Sequence, residues 1–143
     1  MIYTEQTKKA LKLCFEAHKN QVDKSGLPYV FHPFHLAEQM QTESEIITAL
    51  LHDVVEDTDY TLEDLTQLGF APEVVEAIGL LTHKKGGFDY TEYIQHIKVN
   101  PLAKTVKLAD LKHNSDLSRL DVIDERALKR QKRYENAIKL LEE

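Results

Sequence analysis

The sequence predicts an all-α protein, one compact domain over residues 1–143. Three observations carry that prediction. Apolar residues recur at three- and four-residue spacings along most of the chain. No stretch shows a convincing Val/Ile-rich alternation of period two. The 5 Gly and 4 Pro are too few for the turns of an all-β chain. The length of 143 residues fits one domain, on the order of 100–200 residues each, and there is neither an internal repeat nor a Pro/Gly/Ser-rich linker to divide it.

The elements follow in order. A first helix is expected from about Gln6 to Lys19, with Leu11, Phe15 and His18 at i, i+4 and i+7 and Ala10 and Cys14 beside them. Gly26 and Pro28 mark Val22–Tyr29 as a loop. Pro33 suits the first position of a second helix, near Pro33–Gln41. Thr42 and Glu45 form a capping-box pattern before a third, Ile46–Val55. Thr61 caps a short helix that stops at Gly69, and Pro72 opens another through Val74, Val75, Ile78 and Leu81. Gly86-Gly87 breaks the chain before a short helix at Thr91–Lys98. Asn100-Pro101 is a cap followed by Pro at the first helical position, and that helix is expected to reach Leu117. Asp124 caps the last, Glu125–Leu141, with Leu128, Tyr134, Ile138 and Leu141 inward.

Composition narrows the function classes. With 24 acidic and 18 basic residues the net charge is −6, which argues against a nucleic-acid partner, since phosphate neutralisation dominates such binding. A small anionic ligand remains compatible, held by a few lysines or a cation. No apolar run approaches the roughly 18 residues of a membrane span, and the first residues carry no secretory signal pattern. The single cysteine, Cys14, rules out an internal disulfide framework and suits the cytoplasm.

The chemistry concentrates where a polar pair interrupts an apolar helix. His52-Asp53 follows Ala49-Leu50-Leu51 and precedes Val54-Val55. Ionisable groups in such surroundings cost several kcal/mol unless paired or bound to metal. Residues three and four apart share a helical face, which lines His52 and Asp53 up with Glu56 and Asp57. One imidazole and three carboxylates on one face call for a cation. Taken alone, Glu56-Asp57-Thr58-Asp59 is equally a solvated helix end, and such clusters usually are. His32 in Tyr29-Val30-Phe31-His32-Pro33 precedes a helix start, where caps and core histidines are common. Asp110 stands among apolar residues in Val106-Lys107-Leu108-Ala109-Asp110, with Asn114 one turn on, and a lone helical Asp is usually at the surface. As a set, His32, His52, Asp53 and Asp110 mix imidazole and carboxylate in a way that suits Mn²⁺, Fe²⁺ or Zn²⁺. They come from three separate segments.

Ala17-His18…Gln21…Lys24-Ser25-Gly26-Leu27-Pro28-Tyr29-Val30-Phe31-His32-Pro33 resembles the opening of the hydrolase domain of RelA/SpoT-type alarmone enzymes. Ala49–Thr58 is similar to that family's central His-Asp…Glu-Asp motif, and Val106–Asp110 with Asn114 is similar to its third. The motifs keep the family order and cover most of residues 10–120. The resemblance implies an HD-domain fold of the stand-alone small alarmone hydrolase kind. It implies Mn²⁺-dependent hydrolysis of the 3′-pyrophosphate of (p)ppGpp to GDP or GTP and pyrophosphate. His32, His52, Asp53 and Asp110 would ligate the metal, and Glu56 and Asp57 would orient or deprotonate the attacking water. Lys24, Ser25 and Asn114 would contact substrate, while Tyr29 would pack in the core. His18, His35, His83, His96 and His113 match no ligand position and are assigned surface or core roles. Where the family commonly carries Arg-Lys before Ser-Gly, this chain has Asp23-Lys24. The missing Arg is the one expected to stack on guanine. That departure favours another nucleotide or phosphorylated metabolite as the alternative substrate. A non-catalytic nucleotide-sensing module is the alternative outside enzymes. Nothing in the sequence resembles a synthetase domain.

Overall fold

The computed structural model describes residues 1–143 as helices joined by short turns, with no β-strand. The order is α1 (Glu5–His18), α2 (Phe31–Glu38), α3 (Glu43–Leu51), α4 (Val54–Asp57), α5 (Leu62–Gln67), α6 (Pro72–Leu81), α7 (Tyr90–Lys98), α8 (Pro101–Asn114), a 3₁₀ turn at Leu117–Arg119, and α9 (Glu125–Glu142). The predicted loop after α1 is closed by an isolated bridge between Val22 and Pro28.

The centre of the core is α3. Ile46 to Leu51 are all buried, so this helix faces protein on every side, against α1, α2, α6 and α8. Burying a side chain such as Leu50 or Leu51 contributes about 1.5–3 kcal/mol. Its start is fixed by the predicted capping box: Glu45 N–H donates to Thr42 Oγ1 at 3.2 Å, and Thr42 N–H donates to Glu45 Oε1 at 3.2 Å. The same reciprocal cap joins Thr61 to Asp64. Asn100 and Asp124 cap α8 and α9 as expected.

Several expectations change. The third helix does not run unbroken to Val55. It ends at Leu51, His52 and Asp53 form a turn, and α4 begins at Val54. Asp53 sits at φ −105°, ψ 0°, at the edge of the helical region. The apolar pattern continues through the break because Val54 is as fully buried as Leu51. Pro33 is the third residue of α2 rather than the first, and α2 starts at Phe31 and stops at Glu38. The eighth helix ends at Asn114, short of Leu117. Phe15 is 54% exposed, because the inward stripe of α1 is Thr7, Ala10, Cys14 and His18. Leu128 is 50% exposed, because the small Ala127 takes the inward position of α9 with Ala137 and Leu141.

Candidate metal centre and active site

Two helices and one turn bring His32, His52, Asp53 and Asp110 together. His32, from the first turn of α2, lies with its Nε2 2.8 Å from Asp110 Oδ1 on α8. His52 Nε2, from the turn after α3, lies 3.1 Å from Asp53 Oδ2 and 3.5 Å from Asp110 Oδ1. His32, His52 and Asp53 offer ligand atoms within 4.8 Å of one another. His52 Nδ1–H donates to the Ala49 carbonyl at 2.7 Å, which leaves Nε2 facing Asp53 and Asp110. That Nε2 is buried and lacks a hydrogen bond of proper geometry, since neither nearby carboxylate is well aligned with it. A histidine anchored through one nitrogen, with the other facing carboxylates, is arranged as a metal ligand is. The donor set of two imidazoles and two carboxylates fits a divalent transition metal.

The electrostatics agree. Burial alone would pull the His52 pKa down, but the Asp53 and Asp110 carboxylates outweigh it and hold it well above its ordinary value. Burial works against ionised Asp110 too, yet Lys107, His32 and His52 keep its carboxyl well below the usual range. Lys107 Nζ donates to Asp110 Oδ2 at 3.0 Å, and Asn114 Nδ2 donates to Oδ1 at 3.1 Å. Both carboxylates therefore stay ionised. A cluster that holds a proton this firmly attracts a divalent cation for the same reason.

The predicted line-up along one helical face is partly corrected by the break before α4. Asp53, Glu56 and Asp57 cluster with their oxygens within 4.8 Å, while the His52 ring turns toward His32 and Asp110 instead. Glu56 is held by the His83 backbone N–H, which donates to Oε1 at 2.7 Å. Burial, then the Asp53 and Glu56 charges, push Asp57 up to about 6. Burial raises Glu56 as well, against the His83 amide. Behind them, His18 Nδ1–H donates to Gln21 Oε1 at 2.7 Å, and Gln21 Nε2 donates to the Asp57 carbonyl at 3.2 Å. Through this chain α1 braces the end of α4.

His32, Asp53, Glu56, Asp57 and Asp110 line a cavity of about 480 Å³. Lys24, Ser25 and Asn114 line it too. Ser25 Oγ donates to the Arg119 carbonyl at 2.7 Å, tying the loop to the 3₁₀ turn. Asp23 braces its own loop, where its Oδ1 accepts from Ser25 N–H at 2.9 Å and from Leu27 N–H at 3.0 Å. Tyr29, assigned to the core, lines the cavity, and its hydroxyl donates to Asp53 Oδ2. Sequence reasoning passed over Lys107 as a site residue, although its i, i+3 spacing to Asp110 is a readable ion-pair signal. It also passed over Arg119, Arg130 and Arg133, which line the cavity and bring it positive charge. The two on α9 lie at i and i+3 in a segment that matches no motif. His113, assigned to surface or core, lies against His32.

The chain is thus an all-helical domain that gathers a His/His/Asp/Asp cluster beside its cavity. No family model matches the chain. It is 34% identical over 124 residues to a GTP pyrophosphokinase of Myxococcus xanthus, covering 75% of this chain and 16% of that protein. It is 35% identical over 112 residues to a guanosine-3′,5′-bis(diphosphate) 3′-pyrophosphohydrolase of Haemophilus influenzae, covering 69% of this chain and 16% of that one. A protein of the same description from Danio rerio is 38% identical over 117 residues, covering 73% of this chain and 64% of the relative. The chain thus spans about a sixth of the first two relatives. Among solved structures, a metazoan ortholog of SpoT that hydrolyzes ppGpp superposes with a TM-score of 0.81 at 25% identity, over 99% of this chain and 88% of that one. The chain is a homologue of the guanosine-3′,5′-bis(diphosphate) 3′-pyrophosphohydrolases and shares the SpoT ortholog's fold.

Proposed function

We propose that this chain is a Mn²⁺-dependent phosphohydrolase that cleaves the 3′-diphosphate of (p)ppGpp, releasing pyrophosphate and GDP or GTP. The observation that carries the reading is that His32, Asp53 and Asp110 share one cavity with the Glu56–Asp57 pair, with His52 packed directly against Asp53 and Asp110. The names of the homologues supply the substrate class.

His32, His52, Asp53 and Asp110 would hold the ion, which when bound polarises the phosphate oxygens and makes an attacking water more acidic. The protein's own groups do the rest. Glu56 and Asp57 face the same cavity and accept the proton as water adds to phosphorus. Asp57, pushed up to about 6, is ionised at neutral pH yet basic enough for that transfer. Lys107 keeps a fixed positive charge beside Asp110. Arg119, Arg130, Arg133 and Lys24 offer charge to the substrate's remaining phosphates, and Ser25 and Asn114 line the path between. The chain's net charge of −6 does not oppose an anionic substrate, since the cavity carries its own cations. The buried, unpaired Cys14 supports work in the cytoplasm, and no helix is long and apolar enough to cross a membrane.

A second reading, another nucleotide or phosphorylated metabolite as substrate, is favoured by Asp23 standing where an Arg is usual. A non-catalytic nucleotide sensor has no use for the Glu56–Asp57 pair. A release assay across a nucleotide panel, with and without Mn²⁺, tests the proposal. Pyrophosphate is expected from nucleotides bearing a 3′-diphosphate, and only with the metal. Release of orthophosphate alone, from nucleotides lacking that group, would move the assignment to the second reading.

A further inference from the structure

Of the two histidines at the metal centre, only His52 is anchored by the backbone. Its Nδ1–H donates to a carbonyl, which can only accept, so its tautomer is fixed. His32 has no such carbonyl. Its Nδ1 lies 2.7 Å from Nδ1 of His113, and the two ring planes are 2° apart. A single hydrogen between two ring nitrogens at that distance makes one the donor and the other the acceptor.

We propose that His113 is a positioning residue for the metal centre: its Nδ1 accepts the His32 Nδ1–H and so holds His32 in the tautomer whose Nε2 lone pair faces the ion. The proposal rests on the metal-site reading above and names a residue that reading did not use.

The fold is built for this contact. His113 follows Asp110 by one turn of α8, so one helix presents a carboxylate to the Nε2 side of His32 and an imidazole to its Nδ1 side. His113 is itself held in place. His35, one turn beyond His32 on α2, stacks on it with centroids 4.1 Å apart, and Arg119 Nη1 donates to its carbonyl at 2.9 Å. An imidazole partner also offers what a carbonyl cannot. Without metal, His32 Nε2–H donates to Asp110, and His113 can be the donor at Nδ1. With Nε2 on a cation, His32 carries its proton on Nδ1 and His113 carries its own on Nε2. The pair holds the same number of protons in both arrangements, and no buried N–H is stranded.

The test is Mn²⁺ binding, measured by calorimetry on the purified chain without substrate, with melting in chelator as the check on folding. His113→Phe keeps a flat ring against His35 and removes the acceptor. It should weaken Mn²⁺ binding by about 10–100-fold, the usual cost of losing a ligand's hydrogen-bond partner. His113→Asn returns a side-chain oxygen near the Nδ1 position and should stay within roughly threefold of wild type, a small fraction of that loss. If His113→Phe fails to fold, His113→Ala carries the same expectation. Wild-type affinity in the Phe or Ala variant overturns the proposal. So does an Asn variant that melts normally yet loses as much affinity as the Phe variant, because the ring and not the acceptor would then matter. A wild-type chain that takes up no Mn²⁺ overturns the metal reading itself, and this role with it.

Discussion

At the scale of single residues, Glu56→Gln and His52→Ala should fail in different ways. The first keeps shape and removes a base, so Mn²⁺ content should hold while turnover falls by about 10²–10⁴. The second removes a buried imidazole proposed as a ligand and should lose metal and turnover together. Metal analysis beside a rate assay separates them, and a Glu56→Gln variant with near wild-type turnover would reduce Glu56 to a helix-end charge. Asp23 needs a subtler change. An Arg there would be expected to lower KM for a guanosine alarmone roughly tenfold, about 1.4 kcal/mol. The structure shows that Asp23→Arg would also strip the Ser25 and Leu27 amides of their acceptor. Asp23→Asn keeps an acceptor and removes only the charge. It should lower KM by roughly three- to tenfold at most, less than about 1.4 kcal/mol, with kcat unchanged. An unchanged KM would mean that the carboxylate is neutralised within its own loop.

At the scale of elements, α1 offers a test of burial. Cys14 is 1% exposed, and burial, aided by the Asp53 charge, pushes its thiol up to about 12. An unfolded cysteine titrates near 8.5. Above that pH the unfolded chain releases a proton that the folded chain keeps, so stability falls as pH rises, by about 1.4 kcal/mol per unit until about pH 12. The stability advantage of wild type over Cys14→Ala, read from denaturant midpoints, should therefore shrink between pH 8.5 and 10.5 at about that slope. A constant difference would show that the thiol reaches solvent in the folded state. The helices were legible because their ends carry local chemistry: Thr42 with Glu45, Thr61 with Asp64, Asn100 before Pro101. What escaped was set by neighbours. The break at His52–Asp53 is invisible to periodicity because both flanking helices bury apolar residues. The inward turn of Ala127 rather than Leu128 reflects how closely α9 packs on α8, which a hydrophobicity pattern weighted toward large side chains misses.

At the scale of the whole molecule, residues from segments up to 78 positions apart meet at His32 and Asp110, and that convergence was readable only through a resemblance of motifs. The cavity's arginines on α9 were not readable at all, because they lie in a segment that matches no motif and reach the cavity only when the helix packs back over α7 and α8. The central claim is that these parts together break one bond, between the ribose 3′-oxygen and the neighbouring phosphorus. It is tested most directly by ³¹P NMR of ppGpp incubated with the protein, with and without Mn²⁺. With Mn²⁺ the 3′-diphosphate resonances should disappear, a single free-pyrophosphate line should grow at the same rate, and the 5′-diphosphate should stay intact. Loss of the 5′-diphosphate, stepwise release of orthophosphate, or an unchanged spectrum from protein shown to hold Mn²⁺ would contradict it.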